Sequence, residues 1–451
     1  PGITPTPASP ALVVDLTALR TTVPILSGAE TPVWHYQAAV REGNPESLQA
    51  LDGSYLGPIF RVKSGQRVQV KLKNELPDPT IIHWHGLRIP EAMDGHPRYA
   101  IAPGATFDYD FTVQNRAGMY WFHPHPHQLT GQQAYFGLAG LFIISDDEEA
   151  ALGLPSGEYD LPLVIQDRLF DVTNRMVYMT NGAMDQMTGF VGDTILVNGK
   201  PDVTLNVKAS AYRLRLLNGS NSRIYKLAWQ DGSPLTVIAT DGGLLEAPVT
   251  RDYVMLAPGE RVELWVDFTD RKDAKLISQP FDIGGGGMGM MGGGSNLPNG
   301  AQFEILSLHV GEKGAAVSPL PPRLSSVSRH NMTDATNSNN PRLFTLAMQG
   351  MIHTINGRVF EMDAVANDEI VRLGIDTFDS SYPTRAARHG AVFIGDFKKP
   401  PLKILQTKYK DLHEPIDRTC ECYTCLNYTI SYIHHLYKAK ELAGLTLTTL
   451  H

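Results

Sequence analysis

From Arg67 to Leu76 the chain reads RVQVKLKNEL, with Val68, Val70 and Leu72 at every second position and polar residues between them. A period of two fits an extended strand with one buried face, whereas a helix would scatter those side chains around its axis. The same alternation predicts a strand over 106–113 (TFDYDFTV), and the apolar run in 137–145 (GLAGLFIIS) predicts one buried on both faces. Two more such stretches, 204–217 and 254–268, are punctuated by the turn dipeptides Asn198-Gly199, Asn218-Gly219 and Pro258-Gly259. Many short strands separated by turns point to β-sandwich domains. The segment from Phe170 to Met187 shows neither period and receives no assignment.

At 451 residues the chain exceeds one domain. Boundaries are expected near 146–155 and across 311–341, where charge, Pro, Ser and Asn replace the periodic pattern. Gly284 to Gly300 is low in complexity and reads as a flexible insert. Its Met288, Met290 and Met291 are soft ligands that could also take Cu(I). No stretch approaches the ~20 apolar residues that span a bilayer, so no membrane partner is expected. A formal charge of -8 argues against a general nucleic-acid binder. The start, Pro-Gly-Ile-Thr-Pro, suggests a processed or trimmed N-terminus.

Composition changes near Gly374. Acidic residues lead basic ones 47 to 39 over the whole chain, but from Gly374 onward basic residues lead ten to eight. All three cysteines, Cys420, Cys422 and Cys425, lie in that tail, so the front has no disulfide framework. Ile430, Ile433, Leu436 and Tyr437 recur at helical spacing within 428–445, which predicts a helix.

Two triplets carry the chemistry of the front. His83-Trp84-His85 and His123-Pro124-His125 hold four of the 15 histidines. On a strand, residues i and i+2 share a side and lie roughly 6.6 Å apart. That spacing suits two neighbouring ions better than one, and imidazole is a first-choice ligand for copper and zinc. In the tail, Cys420-x-Cys422-x2-Cys425 with His451 offers three thiolates and an imidazole, a donor set for tetrahedral structural zinc. His35, His96, His434 and His435 read as surface or satisfied histidines.

Over residues 1–373 the chain resembles the multicopper oxidases, in the laccase-like and cuprous-oxidase branch. The resemblance rests on HWHGL at 83–87, YWFHPHPH at 120–127, YRLRLLNGSNSR at 212–223, VIATDGGLLEAPV at 237–249 and LAPGERVELWVDF at 256–268. It implies oxidation of a small-molecule reductant, a phenol or Cu(I), coupled to reduction of O2 to water. It also implies that His83 holds a type 2 copper and that His85, His123 and His125 hold a type 3 pair. Asp94 would help deliver protons, and the front would be periplasmic or secreted. The family's third-domain ligand motifs are absent: the pattern runs through DEIVRL at 368–373 and stops, and no cysteine exists before Cys420 to make a type 1 site. An impaired or inactive oxidase with a partial copper site follows.

From 374 to 451 the chain resembles the end of a tRNA-guanine transglycosylase, through GIDTFDSSYPTRAARHG, KYKDLHEPIDRTCECYTCLNYT and SYIHHLYKAKELAGLTLTTLH. That resemblance implies a cytoplasmic enzyme acting on tRNA, with Asp379 as nucleophile and Arg385 and Arg388 beside it. The expected architecture is mainly β. It has two cupredoxin-like Greek-key β-sandwich domains (1–150 and 151–315), the truncated start of a third (316–373) and an α/β zinc-binding C-terminal fragment (374–451). A transglycosylase-type zinc protein and a non-catalytic chimera remain alternatives to the oxidase.

Overall fold

The structure is a computed structural model. It describes residues 11–51, 53–182, 185, 189–271, 273–282, 296–327, 335, 343–349, 352–358, 391–392, 402–418, 420 and 422–439. Two compact units emerge, one of residues 1–282 with 287–328, the other of 283–286 with 329–451.

The first unit begins with a sandwich of nine strands: β1 (Leu12–Val23), β2 (Thr31–Glu42), β3 (Leu48–Gln49), β4 (Ile59–Lys63), β5 (Arg67–Asn74), β6 (Ile82–His85), β7 (Thr106–Thr112), β8 (Gly118–Pro124) and β9 (Gly140–Ser145). They form two sheets, ordered β2-β1-β5-β7 and β3-β4-β9-β8-β6. Of the five stretches that read as strands in sequence, three are β5, β7 and β9. Alternation does what it predicted: in β5 the residues Val68, Val70 and Leu72 turn inward while Arg67, Lys71 and Lys73 are exposed. Leu16, Val70 and Leu72 of one sheet pack with Phe60, Trp84 and Phe142 of the other. Each such side chain contributes roughly 1.5–3 kcal/mol by leaving water. Parallel pairing of β1 with β5 and of β4 with β9, among otherwise antiparallel neighbours, is the crossed connectivity of a Greek-key sandwich. Two short helices accompany the strands, α1 (Thr130–Tyr135) between β8 and β9 and α2 (Asp147–Ala150) after β9.

A second sandwich runs through β10 (Asp160–Arg168), β11 (Thr194–Val197), β12 (Lys200–Pro201), β13 (Thr204–Ala209), β14 (Ala211–Asn218), β15 (Tyr225–Trp229), β16 (Leu235–Thr240), β17 (Gly243–Arg251), β18 (Val254–Leu256), β19 (Arg261–Asp267), β20 (Ala274–Ser278) and β21 (Phe303–Lys313). Its sheets are ordered β12-β11-β10-β14-β19-β16-β17 and β13-β21-β20-β15-β18. An apolar cluster joins the sandwiches, with Met119, Trp121, Tyr135 and Leu141 meeting Val164, Leu196 and Leu217. The unassigned segment contributes here: Met176 is buried in that cluster and Tyr178 stacks on Tyr135, ring centroids 4.5 Å apart.

Charge joins them as well. Arg213 pairs with Glu149 at 2.6 Å and with Glu263, and Arg215 pairs with Glu263 at 2.9 Å and Asp160 at 2.6 Å. Arg61 closes the set on Asp160 at 3.1 Å. Burial alone would raise the Asp160 carboxyl, but Arg215, with Arg213 and Arg61 behind it, brings it below its ordinary value.

In the second unit, β22 (Leu346–Gln349) pairs with β23 (Ile352–Ile355), and β24 (Ala391–Val392) pairs with β25 (Leu402–Lys403). Two helices follow, α3 (Tyr423–Asn427) and α4 (Ile430–Lys438). The predicted helix is α4: Thr429 caps it by accepting from the Tyr432 N–H, and Ile430, Ile433 and Leu436 bury one face. Among the described residues no helix is long and apolar enough to cross a membrane.

Candidate metal centres

Strands β6 and β8 pair antiparallel with His83 opposite His123 and His85 opposite Trp121. Alternation along β6 sends Trp84 into the core, where it meets Phe60, Tyr109, Phe111, Phe122 and Phe142. His83 and His85 therefore share the opposite face. β6 lies at a sheet edge, which would leave backbone groups unmet. The Tyr109 hydroxyl answers both at Ile82, accepting from its N–H at 2.8 Å and donating to its carbonyl at 3.1 Å. The backbone N–H of His125 donates to the Ile81 carbonyl at 2.8 Å, which carries the second triplet alongside the first.

The four rings converge. Centroids of His83 lie 5.7 Å from His85, 5.3 Å from His123 and 5.4 Å from His125. Ligand atoms of His83, His85 and His123 all fall within 4.8 Å of one another. One close approach crosses the strands, His85 Nδ1 to His123 Nε2 at 3.3 Å. Two nitrogens each about 2.0–2.1 Å from one tetrahedral ion stand roughly this far apart. Spacing along one strand had set the expectation that each pair serves neighbouring ions; the structure adds a close nitrogen pair formed between triplets.

Carbonyls dictate which nitrogens can be ligands. His123 Nδ1–H donates to the Pro124 carbonyl at 2.9 Å, and His83 Nδ1–H to the Asp94 carbonyl at 2.9 Å. Because a carbonyl only accepts, each neutral ring keeps its lone pair on Nε2, the arrangement that orients metal-binding histidines. Burial, then Arg261, His83 and His125, push the His85 ring down to about 3. Burial, followed by His83 and His85, also holds His123 well below its ordinary value. Both rings are neutral at pH 7, as a metal requires. The donor set fits copper.

Asp94 stands beside the cluster. Its carboxylate Oδ1 is 3.1 Å from His83 Nδ1, and Gly95 behind it packs on β6 so closely that an added Cβ would lie 2.1 Å from the Ile82 carbonyl. Only glycine, here at φ +74°, allows that approach. His35 meets the Tyr55 carbonyl at 2.8 Å, His96 accepts from the Arg98 N–H, and His127 is exposed. Sequence reasoning missed Trp121, whose ring lies 4.9 Å from His85 and 4.3 Å from His123. Its place in YWFHPHPH, two residues before His123, was the available signal.

Cys420, Cys422 and Cys425 form a second group, with sulfurs within 4.8 Å of one another. Cys422 caps α3, and Cys425 lies in the core with Ile404, Ile416, Ile430, Ile433 and Leu436. Burial pushes the Cys425 thiol up to about 12. His434 Nδ1 meets the Ile404 carbonyl at 2.7 Å. His451, Asp379, Arg385, Arg388 and the three methionines of the glycine-rich insert lie outside the described residues.

Comparison with known proteins places these features. Two family models for multicopper oxidases match residues 33–149 and 170–283. The crystal structure of the McoA multicopper oxidase from Aquifex aeolicus superposes with a TM-score of 0.65 at 37% identity, over 77% of this chain and 71% of that one. The chain belongs to the multicopper oxidase family. The multicopper oxidase mco of Staphylococcus aureus is 39% identical over 235 residues, 52% of each chain. Cell division protein FtsP of Escherichia coli is 35% identical over 269 residues, 59% of this chain and 56% of its own. This multicopper oxidase relative thus spans about half the length of the curated proteins it matches. Residues 364–451 match the family model for queuine tRNA-ribosyltransferase, ten residues earlier than the junction read from sequence.

Proposed function

We propose that the chain holds copper at His83, His85, His123 and His125 as half of an oxidase cluster, and that on its own it does not couple oxidation of phenols or Cu(I) to O2 reduction. The 3.3 Å approach of His85 Nδ1 to His123 Nε2, with carbonyls holding the far nitrogens of His83 and His123, supports the first part. The absence of any cysteine before Cys420 supports the second, since a blue type 1 centre needs a thiolate. Bound copper would supply one-electron chemistry toward O2. The protein's own residues orient the imidazoles, keep them neutral, and place a part-exposed carboxylate, Asp94, where it can pass protons between water and the histidine face. A small-molecule reductant and a periplasmic or secreted setting belong to this reading. That one relative is named for cell division, not oxidation, agrees with a scaffold kept without turnover.

The test is metal analysis and spectroscopy of the purified full chain. Copper bound without an absorption band near about 600 nm, and no oxidation of a phenol or Cu(I), is the expected result. A blue band with turnover would overturn it.

The three sulfurs favour a second ion, zinc, in the tail. Zinc at one per chain, lost in Cys425→Ser with front copper unchanged, is expected there. The tail then acts as a zinc-stabilised module, and exchange of labelled guanine into tRNA by the full chain would count against that.

A further inference from the structure

The second sandwich grips the strands that carry the histidines at three successive points. Gly243, at φ +89°, lies against Ala117, where an added Cβ would come 2.2 Å from the carbonyl. Arg261, at the start of β19, donates from Nε to the Met119 carbonyl of β8 at 3.1 Å. The same guanidinium lies behind Gly86, the residue after His85, where an added Cβ would meet its Nη2 at 3.0 Å. The third point is Gly259, at φ +80°, where an added Cβ would stand 3.4 Å from His85 Cε1 and 3.5 Å from Trp121 Cζ2.

Arg261 itself is fixed. Its side chain is only 4% exposed, donates to the carbonyls of Gly259 (2.9 Å) and Asp241 (3.1 Å), and pairs with the Asp241 carboxylate at 3.0 Å. The turn it holds is closed on itself, since the Glu260 N–H donates to the Ala257 carbonyl and the Ala257 N–H to the Glu260 carboxylate. The Gly259 N–H also donates to the Asn218 carbonyl at 2.8 Å. Such a rigid wall, seated against the Cε1 edge of a ring whose Nδ1 meets His123, sets where that ring can lie.

We propose that Arg261 is a positioning residue for His85: it locks the Gly259 turn of the second sandwich against the His85 ring and thereby fixes the His85–His123 nitrogen pair. The inference rests on the metal reading of the cluster, but the position of the ring can be followed without metal.

The experiment uses the full chain with 13C-labelled histidine, comparing the His85 ring signal by NMR in metal-free protein and Cu2+ affinity by equilibrium dialysis. Arg261→Met is expected to move the His85 signal, leave those of His35 and His309 in place, and weaken Cu2+ by about 10–100-fold, the usual cost of losing an outer support. Arg261→Lys keeps the charge but loses the fork of donors, and is expected to stay impaired. Gly259→Ala tests the same contact if Arg261→Met fails to fold, and should shift the same signal. An unmoved His85 signal in either folded variant, or full recovery with lysine, would overturn the proposal. Failure of the unsubstituted chain to bind Cu2+ would overturn the metal reading, while the ring signal would still decide this one.

Discussion

The two sandwiches of the first unit share an architecture and differ in what they do with their polar side chains. The first gathers histidines across edge strand β6 and its neighbour β8 and backs them with carbonyls. In the second, residues 151–315 contain a single histidine, His309, which is exposed and meets Asp273 at 2.7 Å. Its buried charges form a shared network of arginines and carboxylates, in which Arg213 and Arg215 both meet Glu263 and Arg215 also meets Asp160. The fold therefore does not bring the metal chemistry; a few positions on β6 and β8 do. On the role proposed for Arg261, the second sandwich is a scaffold against which the first is held.

The largest way to break this contrast is at Glu263, which answers both Arg213 and Arg215. Glu263→Gln leaves two buried guanidiniums short of a charge and should cost about 3–5 kcal/mol, seen as a lower midpoint in thermal or urea unfolding. Copper stoichiometry of the folded fraction should not change. His123→Ala is the opposite test: Cu2+ affinity should fall at least about 100-fold, roughly 2.7 kcal/mol, in equilibrium dialysis. His309→Ala should leave it unchanged. Asp94→Asn keeps the backbone carbonyl on His83 and loses only the carboxylate, so about tenfold weaker binding, near 1.4 kcal/mol, is expected. Arg41→Ala removes a pair with Asp15 that is largely exposed, and its unfolding midpoint should move by less than about 1 kcal/mol. A large loss there would blur the line between buried and surface charge.

What could be read from the residues follows from range. β5 and β7 announce themselves because burial alternates within a few consecutive positions, and β9 because its apolar run is continuous. The histidine triplets were legible for the same reason. The contact of His85 Nδ1 with His123 Nε2 was not, since it depends on register between strands nearly forty residues apart. Arg261 and Gly259 were further still from view, reaching His85 from another sandwich. In the stretch 170–187, which gave no period, residues 170–182 carry an isolated bridge between Phe170 and Met176 and pack through Tyr178 on Tyr135. In the tail, α4 was legible from spacing, whereas the approach of the three sulfurs depends on how α3 caps and folds back on its core.

That sulfur cluster has a thermodynamic consequence. Cys425 belongs to the same small apolar core as Ile430, Ile433 and Leu436, so an ion held there would bind the folded tail more tightly than the unfolded one. With zinc held there as proposed, folding of this segment would become a titration against free zinc, gaining about 2.7 kcal/mol at a hundred times the dissociation constant. Metal supply, acting by mass action, would set how much of the tail is folded at any moment.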